Sequence, residues 1–294
     1  MSFSSDVKEE LIRQTSKSRH CQIAELAAIL EFDGVLQDHP LQIYLNSDNP
    51  LLIQKYALLM KLVFGVDISK PLEEADVARL LETVKWERDR QAGSRTNGLL
   101  VQRTCCQRAF LRGAFLAVGS VSDPQKSYHF ELVARSMEQA SQLQELMQNF
   151  ELDAKIVERK GHYVVYLKEG SQIVDILNVM EAYVALMNLE NVRILKEMRN
   201  SVNRKVNCET ANISKTVNAA VKQIQDIMLI RDTIGFDGLP EHLREMAQLR
   251  LDYPDTPLKD LGALLDPPVG KSGVNHRLRK LAEIASTCET NMGG

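Results

Sequence analysis

Cys21-Gln-Ile-Ala-Glu-Leu-Ala-Ala-Ile-Leu-Glu-Phe-Asp-Gly34 decides the fold, because the chain carries it twice. Cys106-Gln-Arg-Ala-Phe-Leu-Arg-Gly-Ala-Phe-Leu-Ala-Val-Gly119 repeats the Cys-Gln-x-Ala-x-Leu opening and the closing glycine, at a constant offset of 85 residues. Both stretches are long, apolar and free of internal breaks, as buried helices are. After the first comes Leu41-Gln-Ile-Tyr-Leu45, which alternates like a half-buried strand. A helix follows, with Asn49 as cap, Pro50 in its first turn and Gly65 as its stop. Val66–Ile68 is expected to be a strand and Ala75–Lys85 a helix. After the second copy comes a strand over Tyr128–Ala134, then a helix opened by the capping-box pair Ser136 and Gln139. Ala154–Arg159 and His162–Leu167 flank Lys160-Gly161 as a hairpin, and helices resume at Ser171. Two long-period copies suit a pseudo-twofold domain better than a solenoid.

Outside the repeats the character changes. Ser201–Thr210 is polar and reads as a linker. Between Arg193 and Lys222 stand seven Lys/Arg against two Glu, in a chain whose total charge is −3. A helix follows to about Arg231, another starts at Leu239-Pro240, and Thr287–Gly294 is expected to fray. Thr256–Leu265 and Ser272–Leu281, separated by a Pro-Pro break, fit a helix-turn-helix in which Gly262 permits close approach. Val274, Leu278, Leu281 and Ala285 form the inner face of the second helix. Lys271, Ser272, Asn275, His276, Arg277, Arg279 and Lys280 are then the candidate DNA-contacting residues. Asn and Arg can pair with base edges, while Lys and Ser can hold phosphate. Arg204, Lys205 and Lys215 are candidates for further phosphate contacts. Gly270-Lys271-Ser272 imitates a phosphate-binding P-loop, but Leu265 stands where that motif needs glycine.

Composition bounds the rest. With 44% hydrophobic and 26% charged residues the chain is that of a globular protein, not a disordered or fibrous one. The net charge does not exclude a nucleic-acid partner, because basic residues are concentrated in particular segments. The N-terminus lacks the apolar core of a secretory signal, and no apolar run is long enough to span a membrane. Five cysteines without a CxxC pair read as free thiols of a reducing cytoplasm, with no metal and no cofactor expected.

The stretch Leu26–Asp33-Gly34 resembles the signature helix of LAGLIDADG homing endonucleases. That resemblance implies close helix packing through Ala27, Ala28, Gly113 and Ala114. It also implies divalent-metal binding by an acid before the final glycine of each copy. The first copy offers Asp33, but the second has Val118, which cannot ligate a metal, so the nuclease site is vestigial. Leu26–Gly34, Leu111–Gly119, Asn200–Lys215 and above all Leu258–Leu281 together resemble the WhiA family of bacterial regulators. That resemblance implies a DNA-binding regulator of cell-division or sporulation genes, expected to be non-enzymatic, cytoplasmic and associated with the nucleoid.

The expectation is therefore an α+β fold: a duplicated LAGLIDADG-like αββα-type domain with pseudo-twofold symmetry, followed by an all-α helix-turn-helix domain. Residues 1–98 are repeat one, 99–200 repeat two, and 201–294 the basic linker and DNA-binding domain. Lys70–Gly98 holds no counterpart of the second repeat's hairpin, so the first sheet is expected to be truncated. The expected partner is double-stranded DNA, the expected state a monomer. The rival readings are a metal-dependent LAGLIDADG-type endonuclease and a regulator that docks on RNA polymerase or a division protein.

Overall fold

A computed structural model describes residues 2–86 and 94–292. The chain forms two compact units, Met1–Glu197 and Met198–Gly294. The first begins with α1 (Phe3–Arg13), α2 (Arg19–Asp33), β1 (Gly34–Asp38), β2 (Leu41–Leu45), α3 (Pro50–Phe64) and α4 (Glu74–Thr83). It continues with α5 (Thr104–Val118), β3 (Gly119–Val121), β4 (Phe130–Ala134), α6 (Met137–Gln148), β5 (Lys155–Arg159), β6 (His162–Leu167) and α7 (Gly170–Met180). Then come α8 (Tyr183–Thr233), α9 (Glu241–Asp252), α10 (Leu258–Ala263) and α11 (Lys271–Met292).

The two signature stretches are α2 and α5, packed against each other at the centre of the first unit and buried along nearly their whole length. Gly113 permits this: a Cβ there would lie 2.5 Å from the Glu25 carbonyl oxygen and 2.9 Å from Ala28 Cβ. The duplication extends to single hydrogen bonds. Gln22 donates to the Ser16 carbonyl at 2.8 Å, and Gln107 donates to its counterpart, the Val101 carbonyl, at 3.1 Å. The closing glycines are matched for a steric reason. At Gly34 and Gly119 the chain turns from helix straight into strand, and a Cβ would collide with Leu30 or Phe115. The strands differ in number. Repeat one has the antiparallel pair β1-β2, whereas repeat two has a four-stranded antiparallel sheet ordered β3-β4-β6-β5. Among the described residues the first sheet has two strands against four in the second.

A cluster of charges around Glu25 interrupts the apolar packing between the repeats. Glu25, fully buried, accepts from Arg112 Nε and Nη2 at 3.0 Å each and pairs with Lys55 Nζ at 3.0 Å. Arg112 also bonds Glu181 at 2.8 Å, and Lys55 bonds the Leu11 and Gln14 carbonyls. Such charges survive burial only when each is paired and hydrogen-bonded.

Four expectations are corrected. Val66–Ile68 is not a strand; it is a connection after the left-handed Gly65 cap. Strands β1 and β3 were not foreseen, because each starts at a helix's closing glycine with no separating turn. Ser201–Thr210 is helical and not an irregular segment. It lies inside α8, a single 51-residue helix in which residues 197–219 are all exposed. The final helix continues to Met292 instead of fraying from Thr287. Of the polar loop expected over Glu87–Gly98, residues 87–93 lie outside the described residues.

Candidate functional site

The second unit is built around one small core. Ile227 and Ile230 of α8, Leu243, Met246 and Ala247 of α9, Leu261 and Leu265 around α10, and Val274, Leu278, Leu281 and Ala285 of α11 are all buried together. The inner face read for α11 is thus the observed one. Gly262 seals the turn between α10 and α11. Its carbonyl accepts from Val269 N–H at 2.8 Å, and a Cβ on it would meet the Val269 carbonyl oxygen at 2.0 Å.

The opposite face of α11 is fixed by the same 3.6-residue period. Lys271, Ser272, Asn275, His276, Arg279 and Lys280 are exposed on it. Lys280 pairs with Glu283 at 2.9 Å, which holds the Glu283 carboxyl below its ordinary range. Arg277 is placed differently from the others. It is half-buried, lies 3.7 Å from Glu245, and donates to the His242 carbonyl at 3.4 Å. It braces α11 against α9, so its guanidinium is turned to the scaffold instead of the exposed face.

Lys215 and Lys271, far apart in sequence, line one cleft of about 380 Å³. Lys259, Thr216, Thr256, Gln223 and Arg250 line it too. Arg250 is 3% exposed; its Nη1 donates to the Thr256 carbonyl at 2.8 Å, while its Nε has no partner. Gln223 Oε1 is likewise buried and unpartnered. Burial pulls the Arg250 pKa below the usual arginine value, with Asp255 opposing. A cleft with three lysines and an unsatisfied guanidinium donor is suited to an anionic oxygen. Sequence reasoning missed Lys259, Gln223 and Arg250. The signal for Arg250 was there: it falls at an apolar-stripe position of α9, after Leu243, Met246 and Ala247. Arg204 and Lys205 are exposed on α8, outside the cleft; Arg204 Nε reaches the Asn200 carbonyl of its own helix at 3.3 Å.

The two ends of the α2/α5 pair hold the remaining polar chemistry. At the C-terminal end Asp33 is buried and accepts from Ser47 N–H at 3.1 Å. Burial raises its pKa, and the Ser47 bond and the nearby Arg135 charge oppose this. Val118 ends α5 partly buried against the core. At the N-terminal end His20, Cys21, Cys105 and Cys106 converge, with ligand atoms all within 4.8 Å of one another. It is the sole grouping of metal-ligating side chains of this kind among the described residues, and Asp33 belongs to none. No helix among the described residues is long and apolar enough to cross a membrane.

Residues 107–199 match the WhiA LAGLIDADG-like domain and residues 202–285 the WhiA C-terminal HTH domain. The chain is 51% identical to the probable cell division protein WhiA of Lachnoclostridium phytofermentans, over 97% of this chain and 98% of that protein. Its identity to the probable cell division protein WhiA of Alkaliphilus oremlandii is 50%, over 97% of each. The fold is similar to the crystal structure of full-length DUF199/WhiA from Thermatoga maritima, with a TM-score of 0.59 and 26% identity over 98% of this chain and 99% of that one.

Proposed function

Since the chain belongs to the WhiA family, we propose that it is a sequence-specific DNA-binding regulator of cell-division genes, acting as a monomer without nuclease activity. The observation that carries this reading is the two-faced α11. One side closes the module's core; the other presents Lys271, Ser272, Asn275, His276, Arg279 and Lys280 to solvent. In a helix-turn-helix that exposed face enters the major groove. Asn275 and Arg279 are then the base readers, while Lys271 with Lys215 and Lys259 holds the phosphodiester backbone. Arg277 is left out of the readout, since it is engaged with α9. The absent nuclease activity is supported by Val118, an apolar side chain where a metal-binding acid is needed.

Binding to a labelled promoter pool over a salt series tests this reading. Affinity should fall steeply with salt, as several neutralised phosphates require, and Arg279→Ala should cost about 1–3 kcal/mol and relax the sequence preference. Arg277→Ala should destabilise the module without changing that preference. Absence of binding even at low salt would remove the DNA reading and leave docking to RNA polymerase or a division protein. Plasmid cleavage with Mg²⁺ that vanishes in Asp33→Ala would establish the endonuclease instead.

A further inference from the structure

The cysteines have no motif spacing along the chain, yet the duplication assembles them. His20 and Cys105 are equivalent under the 85-residue offset, as are Cys21 and Cys106. Both pairs lie in the first turns of α2 and α5. His20 Nδ1 is 3.2 Å from Cys106 Sγ and 3.3 Å from Cys21 Sγ, and all four ligand atoms fall within a 4.8 Å span. A tetrahedral ion with Zn–S bonds of about 2.3 Å needs ligand atoms about 3.8 Å apart, so shifts of roughly 1 Å or less close the shell.

We propose that His20, Cys21, Cys105 and Cys106 hold one Zn²⁺ in a closed Cys3His site that clips the first repeat to the second. Three sulfurs and one imidazole nitrogen form a soft donor set, which selects zinc over magnesium or calcium. As each Zn–S bond forms, the thiol releases its proton to solvent, and the complex carries one net negative charge. Burial opposes that charge, pushing the Cys21 thiol up to about 12 and raising the Cys106 thiol, while the position of the site favours it. The site lies at two helix N-termini, whose free N–H groups and dipoles favour an anion. Neither helix has an acid in its first turn, and neither Ser18 nor Arg103 caps its helix through a side chain.

The surroundings fix the ligands in place. Ala24 and Ala109 pack beneath Cys21 and Cys106, and the matched bonds of Gln22 and Gln107 brace both first turns. Cys21 and Cys106 are buried while His20 and Cys105 are exposed, which gives the ion a path from solvent. A disulfide would use two of the sulfurs and leave the convergence of the third and of the imidazole without a purpose.

The test uses the full chain, untagged and reduced, incubated with equimolar zinc chloride, desalted and assayed for metal by plasma emission. About one zinc per chain is expected, falling at least about tenfold in the double variant Cys21→Ser, Cys106→Ser and unchanged in Cys208→Ser. Because the double variant alters a packed helix end, cobalt(II) added to the unaltered chain supplies a second readout. Sulfur-to-cobalt charge transfer and strong tetrahedral visible bands should appear and be displaced by zinc. Zinc well below one equivalent in the unaltered chain, a cobalt spectrum without the charge-transfer band, or full zinc retention by the double variant would each overturn the site.

Discussion

The two ends of the α2/α5 helix pair have had opposite fates. At the C-terminal end, where the family likeness places catalytic acids, Asp33 has kept its carboxylate and its counterpart is Val118. At the N-terminal end both copies keep ligating side chains, and the four meet. The same pseudo-twofold relation acts at both ends: any residue placed in one copy is paired with the residue at the same place in the other. A centre that needs both copies is lost by one substitution, and one is gained when both carry donors. Gly113 in the middle of the pair, with the matched bonds of Gln22 and Gln107 in the first turns, keeps the relation accurate.

The comparison breaks most severely in the middle. Arg112→Ala removes two of the hydrogen bonds to buried Glu25 and its ion pair, and should cost about 3–5 kcal/mol in urea denaturation. A loss below 1 kcal/mol would mean that Lys55 alone suffices for Glu25, and that the charged centre does not hold the copies together. Gly113→Leu comes next. Its side chain would have to displace the backbone at Glu25, at a cost of about 1–3 kcal/mol or more. If the N-terminal cluster is held by the same packing, the variant should also lose its affinity for cobalt. Normal cobalt binding in a destabilised Gly113→Leu chain would uncouple that end from the helix interface.

The smallest effect sharpens the contrast at Asp33. Burial holds its folded pKa above the unfolded one, so the ionised form is penalised in the fold. Stability from this group is fully present below the ordinary carboxylate range and is lost as pH rises through the folded value. Asn keeps an acceptor for Ser47 N–H without the charge. Asp33→Asn should therefore melt at the same or a higher temperature than the parent chain at pH 7, with the difference closing as pH falls towards 4. A clearly lower melting temperature at pH 7 would show that Asp33 acts as a charge, as a working metal ligand does.

Elements whose packing is local were legible in the sequence. Asn49-Pro50 to Gly65 is a capped helix, Ser136 caps α6 by accepting from Gln139 N–H, and Lys160-Gly161 turns a hairpin. The faces of α11 followed from the spacing of Val274, Leu278, Leu281 and Ala285. The continuity of α8 was not read, because residues 197–219 bury no face and so show no pattern of burial. The informative signal was negative: no Gly or Pro stands between Gly170 and Gly235. Arg277 sits at the edge of the apolar stripe, where the spacing alone does not say that its guanidinium turns to Glu245 and the His242 carbonyl. The His20–Cys106 grouping escaped a search for CxxC because its pairs come from different copies.

The buried charges of the helix pair also decide which halves can combine. Glu25 corresponds by position to Phe110, and Arg112 to Ala27, so the ion pair between them exists only when a first repeat meets a second. Two first repeats would leave each Glu25 to Lys55 alone, and two second repeats would leave each Arg112 to Glu181 alone. The halves of this duplicated domain are thereby complementary and no longer equivalent. A copy of either in place of the other would forfeit the two-bond Glu25–Arg112 pair, which the covalent link between the repeats secures.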